Sequence, residues 1–263
     1  MERRTRIALA MACILALALT PACWGAQDPA HAPGEEVVGS GEQAGEAVGR
    51  VSEFALYGWL TGVTADVGIG PLQIAVDSSF SDNLENLDVG LMAYYETWVG
   101  RSGFYLDVIH ARVSDALLVL GPISVDYDAN QTFVEVGTFL RGGTPERPLD
   151  MIIGARYTDQ ESDYSLTTGM SGSKSQHWVD PILGLRHRGP VSDKWTYSLR
   201  GDIGGFGIGS DFTWQVDGSF RYRMNPKSTL IIGYRYKDTD YEDAGFTYSG
   251  TLRGPIVGFA WAM

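Results

Sequence analysis

Cysteine is nearly absent: Cys13 and Cys23 are the two in 263 residues, both near the start. The rest of the chain has no internal disulfide and no thiol chemistry. Long apolar runs are missing too. Beyond residue 20 nothing approaches the roughly 18 uninterrupted apolar residues of a membrane helix, so such a helix is excluded there. Histidine is scarce, with His31, His110, His177 and His187 alone. A hydrolase or acyltransferase that works through His beside Ser or Asp therefore has few places to be. Only His177 falls near serines (Ser171, Ser173, Ser175) and carboxylates, and its ordinary reading is an interfacial polar residue. Asp238 to Asp243 begins like a calcium loop but lacks the required Gly and the closing Glu. The Gly204 to Gly209 run has no helix after it, so it lacks the context of a phosphate cradle. These absences predict no enzyme, no catalytic residue, no cofactor, no dedicated metal site and no nucleic-acid partner.

What is present is alternation. From Phe212 to Met224 one parity carries Phe212, Trp214, Val216, Gly218, Phe220, Tyr222 and Met224, and the other Thr213, Gln215, Asp217, Ser219, Arg221 and Arg223. Period two is a strand with one apolar and one polar face. Asn225-Pro226-Lys227-Ser228 reverses the chain, and Leu230, Ile232, Tyr234 and Tyr236 continue the apolar face. Strands near 9 to 11 residues suit a tilted bilayer crossing. Aromatics near the ends of the apolar face suit a membrane-water interface. The pattern predicts an all-β, antiparallel, up-and-down transmembrane β-barrel.

Three regions follow. Residues 1–26 read as a secretory signal peptide, with basic residues before the uncharged Ile7 to Thr20. Cleavage after Ala26 and lipidation at Cys23 both stay open. Residues 27–52, rich in Gly, Ala, Glu and Pro without period, read as a disordered periplasmic leader. Residues 53–263 hold the barrel, of about ten strands, with eight or twelve as alternatives. The predicted strands are Glu53 to Ala65, Leu87 to Trp98, Gly103 to Ser114, Asn130 to Arg141, Leu149 to Thr158, Gln176 to His187, Lys194 to Phe206, Asp211 to Met224, Ser228 to Asp238 and Phe246 to Met263. Short turns alternate with longer connections, and Asp66 to Asp77 and Leu117 to Asp126 read as small hairpins extending strands above the membrane. The net charge of -12 gathers in the longer connections, while Arg and Lys mark the short turns.

Parity divides the side chains. Glu96, Asp107, Glu135, Arg156, Asp180, Arg186, Arg200, Asp202, Asp217, Arg221 and Arg235 face inward, together with Arg223 and Lys237. Mixed charges in a narrow lumen are costly unless they pair, which predicts a ladder of salt bridges. A polar pathway for small cations is the alternative. Trp195, Trp214, Tyr222, Tyr234, Tyr236, Phe259 and Trp261 are placed toward lipid.

Leu56-Tyr57-Gly58-Trp59-Leu60-Thr61-Gly62-Val63, the stretch Val76 to Leu87, and Gly233-Tyr234-Arg235-Tyr236 resemble the small outer-membrane β-barrel proteins of Gram-negative bacteria, the broad group that includes the OmpA-type transmembrane domain. The resemblance covers Glu53 to Met263 and implies location more than activity. It departs from the pattern at the last residue, Met263, where Phe is usual. It implies an integral outer-membrane protein whose partners are outer-membrane lipid, lipopolysaccharide and the barrel-assembly machinery, with its leader in the periplasm. Divalent cations would associate diffusely with the acidic rim. The expected role is structural or surface-interactive, with a small cation-preferring channel as the alternative.

Overall fold

A computed structural model describes residues 49–69, 72–79, 81, 87–120, 123–166, 169 and 171–263. The expected signal peptide, Cys23 and nearly all of the expected leader lie outside them. Twelve strands follow in order: β1 (Arg50–Trp59), β2 (Gly62–Ile69), β3 (Leu72–Ser78), β4 (Leu87–Val99), β5 (Ser102–Leu120), β6 (Ile123–Gly143), β7 (Pro148–Leu166), β8 (Ser171–Pro190), β9 (Trp195–Gly204), β10 (Phe212–Asn225), β11 (Ser228–Asp243) and β12 (Phe246–Ala262). Each of β4 to β11 pairs antiparallel with the next. Pairing of β1 with both β4 and β12 closes the sheet, so ten strands form the barrel. Closure leaves these ten without a free sheet edge around the ring.

The remaining two strands extend it. β2 pairs with the outer half of β12, from Val63↔Leu252 to Ile69↔Phe246, and β3 folds back on β2. β1 and β2 are one strand in register, since Trp59↔Ile256 leads without shift to Gly62↔Arg253. The interruption at Leu60 and Thr61 falls opposite Gly254 and Pro255. Pro255 has no N–H to give the ladder, and the Leu60 N–H donates to its carbonyl at 2.9 Å. Gly254 is needed there, because a Cβ would come within 1.9 Å of the Leu60 oxygen.

The strands are longer than alternation indicated. β5, β6, β7 and β8 have 19, 21, 19 and 20 residues, absorbing most of the expected outer connections. In Asp159-Gln160-Glu161-Ser162-Asp163 both parities are polar, so no period marks a strand. Backbone pairing from Asp159↔His177 to Ser165↔Ser171 forms one regardless, because a ladder satisfies N–H and C=O groups whatever the side chains. The hairpin expected at Leu117 to Asp126 forms by direct pairing of those residues. β1 begins at Arg50, so the last three residues of the expected leader are strand.

The wall sorts side chains by face. Leu56, Leu91, Val136, Met151, Ile153, Leu183, Phe220, Ile232 and Val257 are exposed on the outside. Charged residues fill the inside of the turn-proximal half. Toward the outer end the interior becomes apolar: Trp59, Ile109, Phe133, Leu252 and Ile256 pack together, and Trp178, Tyr241, Phe246 and Tyr248 form a second cluster with Ala65 and Val67. The barrel is filled with side chains along its length, as a narrow barrel should be.

Candidate functional site

The lumen charges assemble in layers. Nearest the short turns, Arg221 Nη2 on β10 lies 2.6 Å from Glu53 Oε2 on β1, three strands away around the ring. Above it, Arg186 Nη1 lies 2.8 Å from Glu96 Oε2, and Arg188 Nη1 2.7 Å from Glu96 Oε1. Arg186 also reaches Asp150 at 2.7 Å, and Arg141 grips the other oxygen of the same carboxylate at 2.7 Å. The Tyr94 hydroxyl donates to Glu96 at 2.8 Å while accepting from Arg186 at 2.7 Å.

The middle layer is four charges in a closed ring. Arg156 Nη2 lies 2.6 Å from Glu135 Oε2 and 2.8 Å from Asp202 Oδ1. Arg200 lies 2.9 Å from Asp202 Oδ2 and also pairs with Glu135. All four side chains are buried, and the Tyr105 hydroxyl caps Glu135 at 2.8 Å. Tyr105 fits because Gly137 opposite it has no side chain; a Cβ there would stand 2.6 Å from the ring. The upper layer is Asp107, which accepts from the Tyr57 hydroxyl at 2.7 Å and lies 3.5 Å from Arg235 Nη2. Arg235 also lies over the rings of Tyr57 and Trp59. Charge-assisted bonds of this kind offset the cost of burying the ions, and breaking one leaves its partner uncompensated.

Nine of the eleven inward residues named from the sequence enter these ion pairs; Asp180 and Asp217 are placed differently. Asp180 is in register with Arg156 but accepts instead from Trp178 Nε1 at 3.0 Å and the Ser210 backbone N–H at 2.6 Å. It ties β8 to the β9–β10 turn, where short backbone N–H groups outcompete a guanidinium already held twice. Asp217, half-buried, receives a long contact from Gln215 at 3.5 Å. Arg223 is exposed at the turn and donates to the Asp193 carbonyl. Glu53, Arg141, Asp150 and Arg188 are further members that sequence reasoning passed over. Asp150 shares parity with Arg156 and was visible by that signal. Arg141 shares parity with Glu135 and lies within its expected strand, so it was visible by the same signal, whereas Arg188 falls one residue beyond the expected Gln176 to His187, where a small boundary error removes it from the pattern.

Of the outward aromatics, Tyr234, Phe259 and Trp261 are exposed, Trp195 and Tyr222 are half-buried with ring centroids 5.0 Å apart, and Tyr236 is half-buried. Trp214 departs from expectation. It is 3% exposed, because the Tyr236 ring covers it at 4.9 Å. His177 is exposed, opposite Asp159 in register and 6.4 Å from the Tyr157 ring. In the outer cluster, burial first and then Asp243 and Asp180 push the Tyr241 phenol above its ordinary range. Among the described residues no group of three or more His, Cys, Asp or Glu side chains is arranged to hold a metal ion.

No protein-family model matches the sequence, and no curated protein does. Solved structures to which the chain is similar are outer-membrane barrels. The outer-membrane protease OmpT of Escherichia coli is 9% identical with a TM-score of 0.46, over 82% of this chain and 97% of that one. The attachment invasion locus protein Ail of Yersinia pestis is 10% identical with a TM-score of 0.36, over 82% and 99%. The translocator domain of the autotransporter NalP from Neisseria meningitidis is 11% identical with a TM-score of 0.38, over 80% and 88%. The expectation that the chain is not an enzyme is corrected by this set. A protease is among the similar structures, so a barrel of this kind is no ground for excluding catalysis, and at such identities the likeness assigns no activity either.

Proposed function

We propose that this chain is an integral protein of a bacterial outer membrane, with a lumen sealed by its own side chains and a role carried by what it presents outside. The observation that carries this reading is the closed ring of Glu135, Arg156, Asp202 and Arg200, with further ion pairs on both sides of it. A conducting pathway would have to part all of these layers and the apolar clusters above them. The membrane placement is supported by the outward Leu, Ile, Val and Phe residues, which would otherwise expose an apolar belt to water. On this reading lipid and lipopolysaccharide surround the barrel, the assembly machinery inserts it, and the short turns face the periplasm with the leader. The extended outer strands carry Asp66, Asp77, Asp128, Asp159, Glu161, Asp163, Asp240, Glu242 and Asp243. A negative rim of that kind attracts cations and cationic surfaces, which makes a surface-interaction role the natural use of the projection.

Planar-bilayer recording on the folded protein tests the sealed lumen. Silence is the expected result, and steady cation-selective steps would replace this reading with the channel. Membrane fractionation with unboiled gels tests the location. The folded protein should sediment with the outer membrane and shift mobility on heating; recovery as a soluble periplasmic protein would overturn the placement.

A further inference from the structure

The short-turn end of the barrel is basic all the way round. Arg50 opens β1, Arg101 stands in the β4–β5 turn, Arg147 in the β6–β7 turn, Lys194 in the β8–β9 turn, and Arg223 and Lys227 at the β10–β11 turn. All six are exposed, and among the described residues none enters an ion pair. The exposed acids at this end are Glu146 and Asp193, with the carboxylate of Met263 beside them. The paired layer just inside does not offset the excess, since Arg141, Arg186, Arg188 and Arg221 there meet Glu53, Glu96 and Asp150. A rim of one sign draws in a partner of the other.

The chain carries such a partner at the same place. Residues 27–48 hold Asp28, Glu35, Glu36, Glu42 and Glu46 and no lysine or arginine, and they join the barrel beside Arg50, itself one of the rim cations. Extended chain spans at most about 3.5 Å per residue, so Glu46 can stand up to roughly 14 Å from Arg50, Glu42 roughly 28 Å and Glu36 roughly 49 Å. A ring of ten strands about 4.8 Å apart and tilted by about 40° is roughly 20 Å across. The glutamates therefore reach every turn. An anionic lipid headgroup would match the rim's charge as well, but it lacks the tether, which makes the encounter of the segment with the rim intramolecular, at an effective concentration on the order of mM.

We propose that residues 35–48 dock across the short-turn rim, their four glutamates pairing with its arginines and lysines, and so cover that mouth of the lumen. Directly beneath lies the Arg221–Glu53 pair, whose side chains are 15% and 18% exposed; the docked segment would shield it from bulk water. The contact is between exposed charges, so salt weakens it. It does not depend on the membrane placement, because rim and segment belong to one chain.

The test uses the full folded barrel in neutral detergent micelles, with Cys13→Ser and Cys23→Ser so that introduced thiols alone take a label. Ser40→Cys in the segment and Ser192→Cys in the β8–β9 turn, across the ring from β1, carry nitroxides whose separation is read by pulsed electron spin resonance. A narrow separation is expected at about 0.01 M salt, where the screening length is about 30 Å, and a broad distribution at about 1 M, where it is about 3 Å. Glu35→Gln, Glu36→Gln, Glu42→Gln and Glu46→Gln together should abolish the narrow component at low salt. The heat-modifiable mobility should stay intact, since none of the four lies in a barrel strand. A broad distribution at both salts, or a narrow one that survives the four replacements, would overturn docking by charge. Phospholipid vesicles separate the two anionic occupants. A narrow component kept in phosphatidylcholine with and without phosphatidylglycerol supports the segment, and its loss when phosphatidylglycerol is present would give the rim to lipid headgroups and refute the proposal.

Discussion

Arg156 clamps two strands at once: from β7 its Nη2 reaches Glu135 on the adjacent β6 and Asp202 on β9, two strands away in the other direction, at 2.6 and 2.8 Å. Neighbouring strands are already joined by backbone bonds, so the contact with Asp202 is the one that adds something. It ties β7 to β9 across β8.

Arg156→Met removes both contacts while keeping most of the volume. Glu135 and Asp202 would then share Arg200 alone, and the expected loss is about 3 to 5 kcal/mol, as for a broken buried pair. Urea titration of the folded, heat-modifiable form checks this. A midpoint shift near zero would show that the ring contributes no net stability.

Gly137→Ala places a methyl group 2.6 Å from the Tyr105 ring, in a wall that cannot retreat. Overpacking of this kind costs about 1 to 3 kcal/mol. Pairing the change with Tyr105→Phe should not relieve it, because the clash is with ring carbons as well as the hydroxyl. Relief in the double variant, read by the same titration, would place the conflict at the oxygen alone.

Ile232 is 45% exposed on the outward face of β11, and Ile208 is 76% exposed in the β9–β10 turn. If the outward belt meets hydrocarbon, Ile232→Arg should cost about 2 to 4 kcal/mol in lipid vesicles near the bilayer midplane. Ile208→Arg, outside the belt, should be close to neutral. Equal effects at the two positions would contradict the membrane placement.

His177→Ala should change stability by less than about 0.5 kcal/mol, as for an exposed side chain away from packed features. A larger fall in the unfolding midpoint would show that its contact with Tyr157 holds the outer strands of β7 and β8 together.

Much of the barrel was legible because alternation and turn chemistry are local. Phe220, Ile232 and Val257 declare their face by parity, and Asn225-Pro226-Lys227 declares its turn. Strand length was not legible where both faces are polar. Nothing in Gln160, Glu161 or Ser162 marks a period, and only the partner strand makes them β. The same limit hid Arg188, which lies just past the expected end of its strand at His187.

By itself the sequence determined which faces are apolar and that opposite charges line the inside, because each follows from residues a few positions apart; that ten strands and not eight or twelve close the ring came from the pairing of β1 with β4 and β12. The tertiary structure alone decided which charge meets which. Arg156 chooses Asp202 over its register partner Asp180, and Arg221 on β10 finds Glu53 on β1, three strands away around the ring, since these outcomes depend on curvature, side-chain reach and competition for oxygens among distant strands.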